Sequence, residues 1–139
     1  MNSQEIKCNI PGVKILQINK NIDSRGWLIE LFRHDELSND NYPVMAYVSS
    51  TKPGVARGPH EHKIQTDNFS FIGYSSFKLY LWDNRSDSSS FGRYFELTIT
   101  EAMIVSVVIP PGIVHAYKNI GDREGLVFNA PNKLYAGEG

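Results

Sequence analysis

Two histidines, an arginine and a lysine crowd into the run Gly54-Val55-Ala56-Arg57-Gly58-Pro59-His60-Glu61-His62-Lys63. An imidazole titrates near neutral pH and can take a proton from carbon, while a guanidinium holds a phosphate or a developing oxyanion by charge-assisted hydrogen bonds. On an extended strand, residues i and i+2 share a face, so His60 and His62 are expected to point into one cavity. A third histidine, His115, follows in Ile109-Pro110-Pro111-Gly112-Ile113-Val114-His115-Ala116-Tyr117-Lys118-Asn119, and Asp67 lies shortly after His62. Three imidazoles and a carboxylate thus come from two places in the chain.

The elements that must position these groups read as strands. Apolar residues recur with a period near two in Val13 to Ile18, Phe77 to Trp82 and Tyr94 to Ile99. Clusters of turn formers separate them: Asn21 to Gly26, Ser38 to Pro43, Thr51 to Gly54, Asp83 to Gly92, Pro110 to Gly112 and Asn119 to Gly125. One helical turn is expected in Arg33 to Ser38. The pattern predicts a single all-β domain over residues 1–139, a sandwich or barrel. Such a chain must hide its strand edges, which favours closure or pairing into a homodimer.

Composition narrows the partners. Lys and Arg total 14 against 15 for Asp and Glu, so no broad positive field invites nucleic acid or an anionic membrane. The lone Cys8 forms no internal disulfide, the N-terminal stretch lacks an apolar signal core, and no apolar run is long enough to span a bilayer. A cytoplasmic protein is expected.

The spacing His60-x-His62 with Asp67 behind it, then Pro-x-Gly-x-x-His with Asn119 closing the second run, resembles the two motifs of the cupin superfamily. That resemblance implies a cupin-type jelly-roll β-barrel. In metal-binding cupins the matching positions are ligands, here His60, His62, Asp67 and His115.

A second resemblance covers more of the chain. Asp23-Ser24-Arg25-Gly26, Glu30 and Phe32, Gly54 to His60, Asp83-Asn84-Arg85 through Phe91-Gly92-Arg93, and Ile109 to Tyr117 occur in the order found in the dTDP-4-dehydrorhamnose 3,5-epimerase family. The similarity runs from about Ile10 to Tyr135. It implies a homodimeric enzyme of deoxysugar or surface-polysaccharide biosynthesis that works without metal or other cofactor. His60 matches the catalytic base beside the C4 ketone and His115 a second active-site histidine. Arg57 would hold substrate and enolate, and Arg25 the nucleotide diphosphate. His62, Lys63 and Tyr47 complete the implied substrate-binding set.

Departures from the family pattern shape the remaining expectations. The family's acidic tyrosine falls at Phe128, which has no proton to give, and its lysine falls near Thr66, with Lys63 in reach of the same space. The carboxylate that most members carry in a longer C-terminal part has no counterpart before Gly139. Tyr47, Tyr74, Tyr117 and Tyr135 are the candidate replacement acids, and Asp67 or Glu61 the candidate carboxylate that orients a histidine. The run Arg57 to Lys63 also resembles the dTDP-sugar 3,4-ketoisomerases, whose reaction likewise starts at the C3 proton. A metal-dependent cupin enzyme and a non-catalytic sugar-nucleotide binding protein are the competing readings. Plainer roles are expected elsewhere: Arg85 and the Asp83 loop as turn architecture, and Phe69, Phe71, Tyr117 and Trp82 as packing.

Overall fold

Twelve strands carry the chain in the computed structural model, which describes residues 2–134. In order they are β1 Ser3–Ile6, β2 Lys14–Ile18, β3 Asn21–Asp23, β4 Gly26–Leu28, β5 Tyr47–Thr51, β6 Ala56–His60, β7 Asp67–Phe71, β8 Phe77–Asp83, β9 Tyr94–Ile99, β10 Val105–Ile109, β11 Ile113–Asn119 and β12 Gly125–Asn129. The expected helical turn is a 3-10 turn at His34–Glu36, and a second follows at Asn39–Asn41. Tyr135, one of the candidate acids, lies outside the described residues.

The strands form an antiparallel sandwich of jelly-roll type. One sheet has six strands in the order β1-β2-β10-β7-β12-β5, and the other four in the order β6-β11-β8-β9. Period-two alternation sorts each strand between core and outside. Along β8, Phe77, Leu79 and Leu81 are buried while Lys78, Tyr80 and Trp82 turn outward and are half-covered. Trp82 therefore contributes less to the core than Phe69, Phe71 and Phe77, each of which packs edge to face against Tyr117 in the centre. Each such buried side chain contributes about 1.5–3 kcal/mol through removal of apolar surface from water.

Strands β7 and β10 are buried on both faces. Their outward residues Asn68 and Ser106 are joined by a 3.2 Å hydrogen bond, and Leu31, Phe32 and Leu37 line the space above them. This frees the inward row of β7, which begins at Asp67, to face the four-stranded sheet.

The same turn device occurs twice. Asp23 Oδ1 accepts the backbone N–H of Arg25 at 2.8 Å, and Asp83 Oδ1 accepts that of Arg85 at 3.0 Å, each a short side chain capping the residue two positions on. Their surroundings differ. Asp83 is buried, also accepts from Ser88 and Ser90, and its Arg85 reaches the Pro11 carbonyl at 2.7 Å. Arg85 is thus committed to the fold, as its turn context predicts. Arg25 stands on the exposed β3–β4 hairpin, and among the described residues its guanidinium pairs only with Asp23, at 2.6 Å.

Candidate active site

The inward row of β11 runs Ile113, His115, Tyr117, Asn119, so the parity that buries two core residues also aims His115 between the sheets. Across the gap the inward row of β7 offers Asp67, and that of β12 ends on Asn129. The register brings them together: Asn129 lies opposite Phe69 on one side and Tyr47 on the other. His115 pairs with His60 of β6. Three strands of one sheet and two of the other therefore meet at one end of the sandwich.

Strand β6 reaches this position through Gly58. Its φ is +98°, and a Cβ there would sit 2.8 Å from the His115 carbonyl oxygen and 3.1 Å from Ala116 Cα. Only glycine permits that conformation together with so close an approach. The pairing is irregular between His115 and Tyr117, which accommodates the unusual Arg-Gly-Pro sequence. The strand ends at His60, so His62 lies in the following turn and the expected i, i+2 strand geometry does not hold. Convergence still occurs: the His115 ring centroid is 6.1 Å from that of His60 and 5.6 Å from that of His62.

Asp67 is the hub. Its Oδ2 lies 3.1 Å from His62 Nε2 and 3.1 Å from His115 Nε2. Its Oδ1 accepts from Gln65 Nε2 at 2.7 Å and from Asn129 Nδ2 at 3.1 Å. Burial opposes the charge, but the contacts from His115, His62 and Asn129 together hold the carboxyl well below the usual carboxylate range. The Asp67 carboxylate in turn raises the pKa of His62 against the opposing effect of burial. His60, exposed at the mouth, moves the other way, lowered by burial and by the neighbouring His115 and His62. A ring that stays neutral at lower pH is suited to accept a proton.

Residues 7–138 match the family model described as dTDP-4-dehydrorhamnose 3,5-epimerase. The chain belongs to this epimerase family. Over 128 residues it is 35% identical to a probable low-salt glycan biosynthesis epimerase of Haloferax volcanii, covering 91% of this chain and 81% of the relative. It is 32% identical over 114 residues to a spore coat polysaccharide biosynthesis protein of Bacillus subtilis, covering 81% of this chain and 74% of that protein. Among solved structures, a dTDP-6-deoxy-D-glucose-3,5-epimerase of Legionella pneumophila in complex with dTDP-4-keto-L-rhamnose aligns with a TM-score of 0.85. That alignment covers 96% of this chain and 73% of the other at 21% identity, and it supports the cupin-type fold alone.

Within this epimerase-family chain, His60, His62 and His115 converge, and the carboxylate beside them is Asp67. Glu61, the other candidate for orienting a histidine, instead accepts from Asn84 at 2.7 Å. Arg57 spans the two sheet edges, donating from Nε to Thr51 Oγ1 and from Nη2 to the Ser50 carbonyl, each at 2.9 Å. Tyr47 places its hydroxyl 3.0 Å from Asn129 Nδ2. Lys63 is exposed on the turn after the histidines, and Thr66 is buried with its N–H donated to Asn132. Arg25 touches none of the cluster.

Gln65, Asn129 and the Ile113 carbonyl, which faces His115 Nδ1 at 3.0 Å, are site residues that sequence reasoning missed. The inward parity of Asn129 with Val127 was the one available signal. Asn119, the last residue of the second cupin-like run, is structural. Its amide joins the Thr51 and Arg123 carbonyls to Ser75 and Gly121, tying three loops together.

The arrangement also has features of a metal site. His62, Asp67 and His115 each offer one ligand atom within 4.8 Å of the others, and the buried His115 Nε2 faces Asp67 Oδ2 at 3.1 Å. His60 is not among these ligand atoms, so the expected four-residue set reduces to three. Two imidazoles and one carboxylate fit a divalent transition metal, with Gln65, Asn129 and the Ile113 carbonyl orienting the ligands from behind.

Proposed function

We propose that this chain is a sugar-nucleotide epimerase that enolises a 4-keto-6-deoxyhexose carried on a nucleoside diphosphate of the dTDP type. The observation that carries this reading is the placement of His60. Its side chain is exposed at the end of β6, its pKa is lowered, and it lies beside a histidine pair already engaged by Asp67. His60 is thus the imidazole positioned to meet solvent-borne substrate, and its base removes the proton next to the C4 ketone. Arg57 offers a fixed positive charge to the developing enolate oxygen, and the buried His115, held between Asp67 and the Ile113 carbonyl, packs beside the His60 and His62 rings. Lys63 and Arg25 serve the diphosphate.

The working unit in this reading is a cytoplasmic homodimer. Strand β6 is exposed along its length at a sheet edge, and the β3–β4 hairpin exposes Ile22, Trp27 and Leu28. A second copy would cover both and bring the loosely held Arg25 against a neighbouring cleft. Light scattering should give the mass of two chains, and a monomer at micromolar concentration would remove this part of the reading. Among the described residues, no helix is long and apolar enough to cross a membrane.

The chemistry is tested by incubating the protein in deuterated water with dTDP-, GDP- and UDP-linked 4-keto-6-deoxyhexoses and following the label by NMR. Deuterium at C3, or at C3 and C5, is expected with at least one of them. No uptake with any would reject enolisation.

A second reading rests on the convergence of His62, Asp67 and His115, whose ligand atoms lie within 4.8 Å of one another. A divalent metal held by His62, Asp67 and His115 would polarise the substrate ketone as a Lewis acid. Elemental analysis of protein purified without added metal decides it: one transition-metal ion per chain supports this reading, and a trace amount counts against it.

A further inference from the structure

We propose that Tyr47 is the catalytic acid, returning a proton to the face of the carbon opposite that from which His60 removes one. This inference rests on the enolisation reading above. The two groups belong to opposite walls: His60 ends β6 of the four-stranded sheet, and Tyr47 begins β5 of the six-stranded sheet. A sugar ring lying between the sheets would present one face to each.

The hydrogen bonding around Tyr47 leaves its proton available. The Asn68 backbone N–H donates to Asn129 Oδ1 at 3.0 Å, which sets the orientation of that amide. Both hydrogens of Asn129 Nδ2 are then directed outward, one to Asp67 Oδ1 and one to the Tyr47 oxygen. The phenol oxygen therefore accepts from Asn129, and among the described residues its own O–H has no acceptor, which leaves that proton for substrate. After transfer, the same amide hydrogen bond stabilises the phenolate. Burial raises the pKa of the phenol, so at neutral pH it carries the proton it must give.

The other tyrosines named from sequence do not share this position. Tyr117 is enclosed by Phe69, Phe71 and Phe77, with its hydroxyl 3.4 Å from Ser49. Tyr74 lies beyond the end of β7 remote from Asp67. Phe128 is on the face of β12 opposite to Asn129. In the full cycle His60 takes the C–H proton as the electron pair forms the enolate, the enolate carbon takes the Tyr47 proton, and solvent restores both side chains. Nothing is oxidised or reduced.

The test uses Tyr47→Phe in deuterated water with whichever 4-ketosugar nucleotide the wild-type enzyme labels. The variant should still exchange the substrate proton, because His60 can remove and return it on one face, while formation of the inverted sugar falls at least about 100-fold. His60→Ala should lose both. Inversion by Tyr47→Phe at the wild-type rate would overturn the assignment. So would joint loss of exchange and inversion in a variant that melts like wild type, since that outcome makes Tyr47 a binding residue. Absence of exchange in the wild-type enzyme would instead reject the underlying enolisation reading, and the acid role with it.

Discussion

His60→Ala is expected to lower kcat/KM for epimerisation by about 100- to 10,000-fold, the usual span for loss of a positioned general base. The effect should fall on kcat, because His60 meets the substrate at the reacting carbon while Arg57 and the His62–Asp67–His115 group remain to bind it. The fold should be little affected: His60 is exposed and its side chain makes no hydrogen bond within the described residues. A variant that melted like wild type and kept more than a tenth of its activity would remove His60 from the chemistry. The pH profile supplies a second readout. Burial and the adjacent histidines lower the His60 pKa, so its neutral form persists below the ordinary histidine value of about 6.5. The acid limb of wild-type kcat/KM should therefore have its midpoint below that value. A limb at or above it would contradict the assignment of His60 as the group observed.

The histidine cluster was legible because it combines short-range spacing with long, regular strands. His115 could be aimed inward from sequence alone, since Ile113 and Tyr117 flank it at strand period on β11. The same reasoning failed for His62, because Gly58-Pro59 breaks the regular strand and the chain turns after His60. What was not legible depended on sheet order. Tyr47 and Asn129 are 82 residues apart and Asn129 and Asp67 are 62 apart, and only the adjacency of β5, β12 and β7 joins them. Residue type alone carries no signal for such a role, because an amide is as much at home in a turn, and for Asn129 only its parity with Val127 points inward. The choice between Asp67 and Glu61 was open for the same reason. Both stand near the histidines in sequence, but Asp67 starts an inward-facing row whereas Glu61 faces Asn84 at the surface.

Asp67→Ala is expected to be the most destabilising change at the site, costing about 3–5 kcal/mol and lowering the melting temperature by roughly 10 °C or more. The substitution removes an acceptor shared by Gln65, Asn129, His62 and His115, and leaves buried donors without a partner. Asp67→Asn separates hydrogen bonding from charge, because its amide oxygen still serves Gln65 and Asn129 while the negative charge is lost. It should fall between Asp67→Ala and wild type. The sign of the pH dependence follows from two opposite shifts. The Asp67 pKa is lowered, so its contribution is present above its unfolded value near 3.9 and lost as pH falls through the lower folded value. The His62 pKa is raised, so its contribution is complete below about 6.5 and lost as pH rises through the higher folded value. The deficit of Asp67→Asn relative to wild type should therefore be greatest between about pH 4 and 6.5 and shrink on either side. Denaturant melts across that range measure it directly. A deficit that did not vary with pH would show that Asp67 supports the site by hydrogen bonding alone, with no ionic coupling to His62.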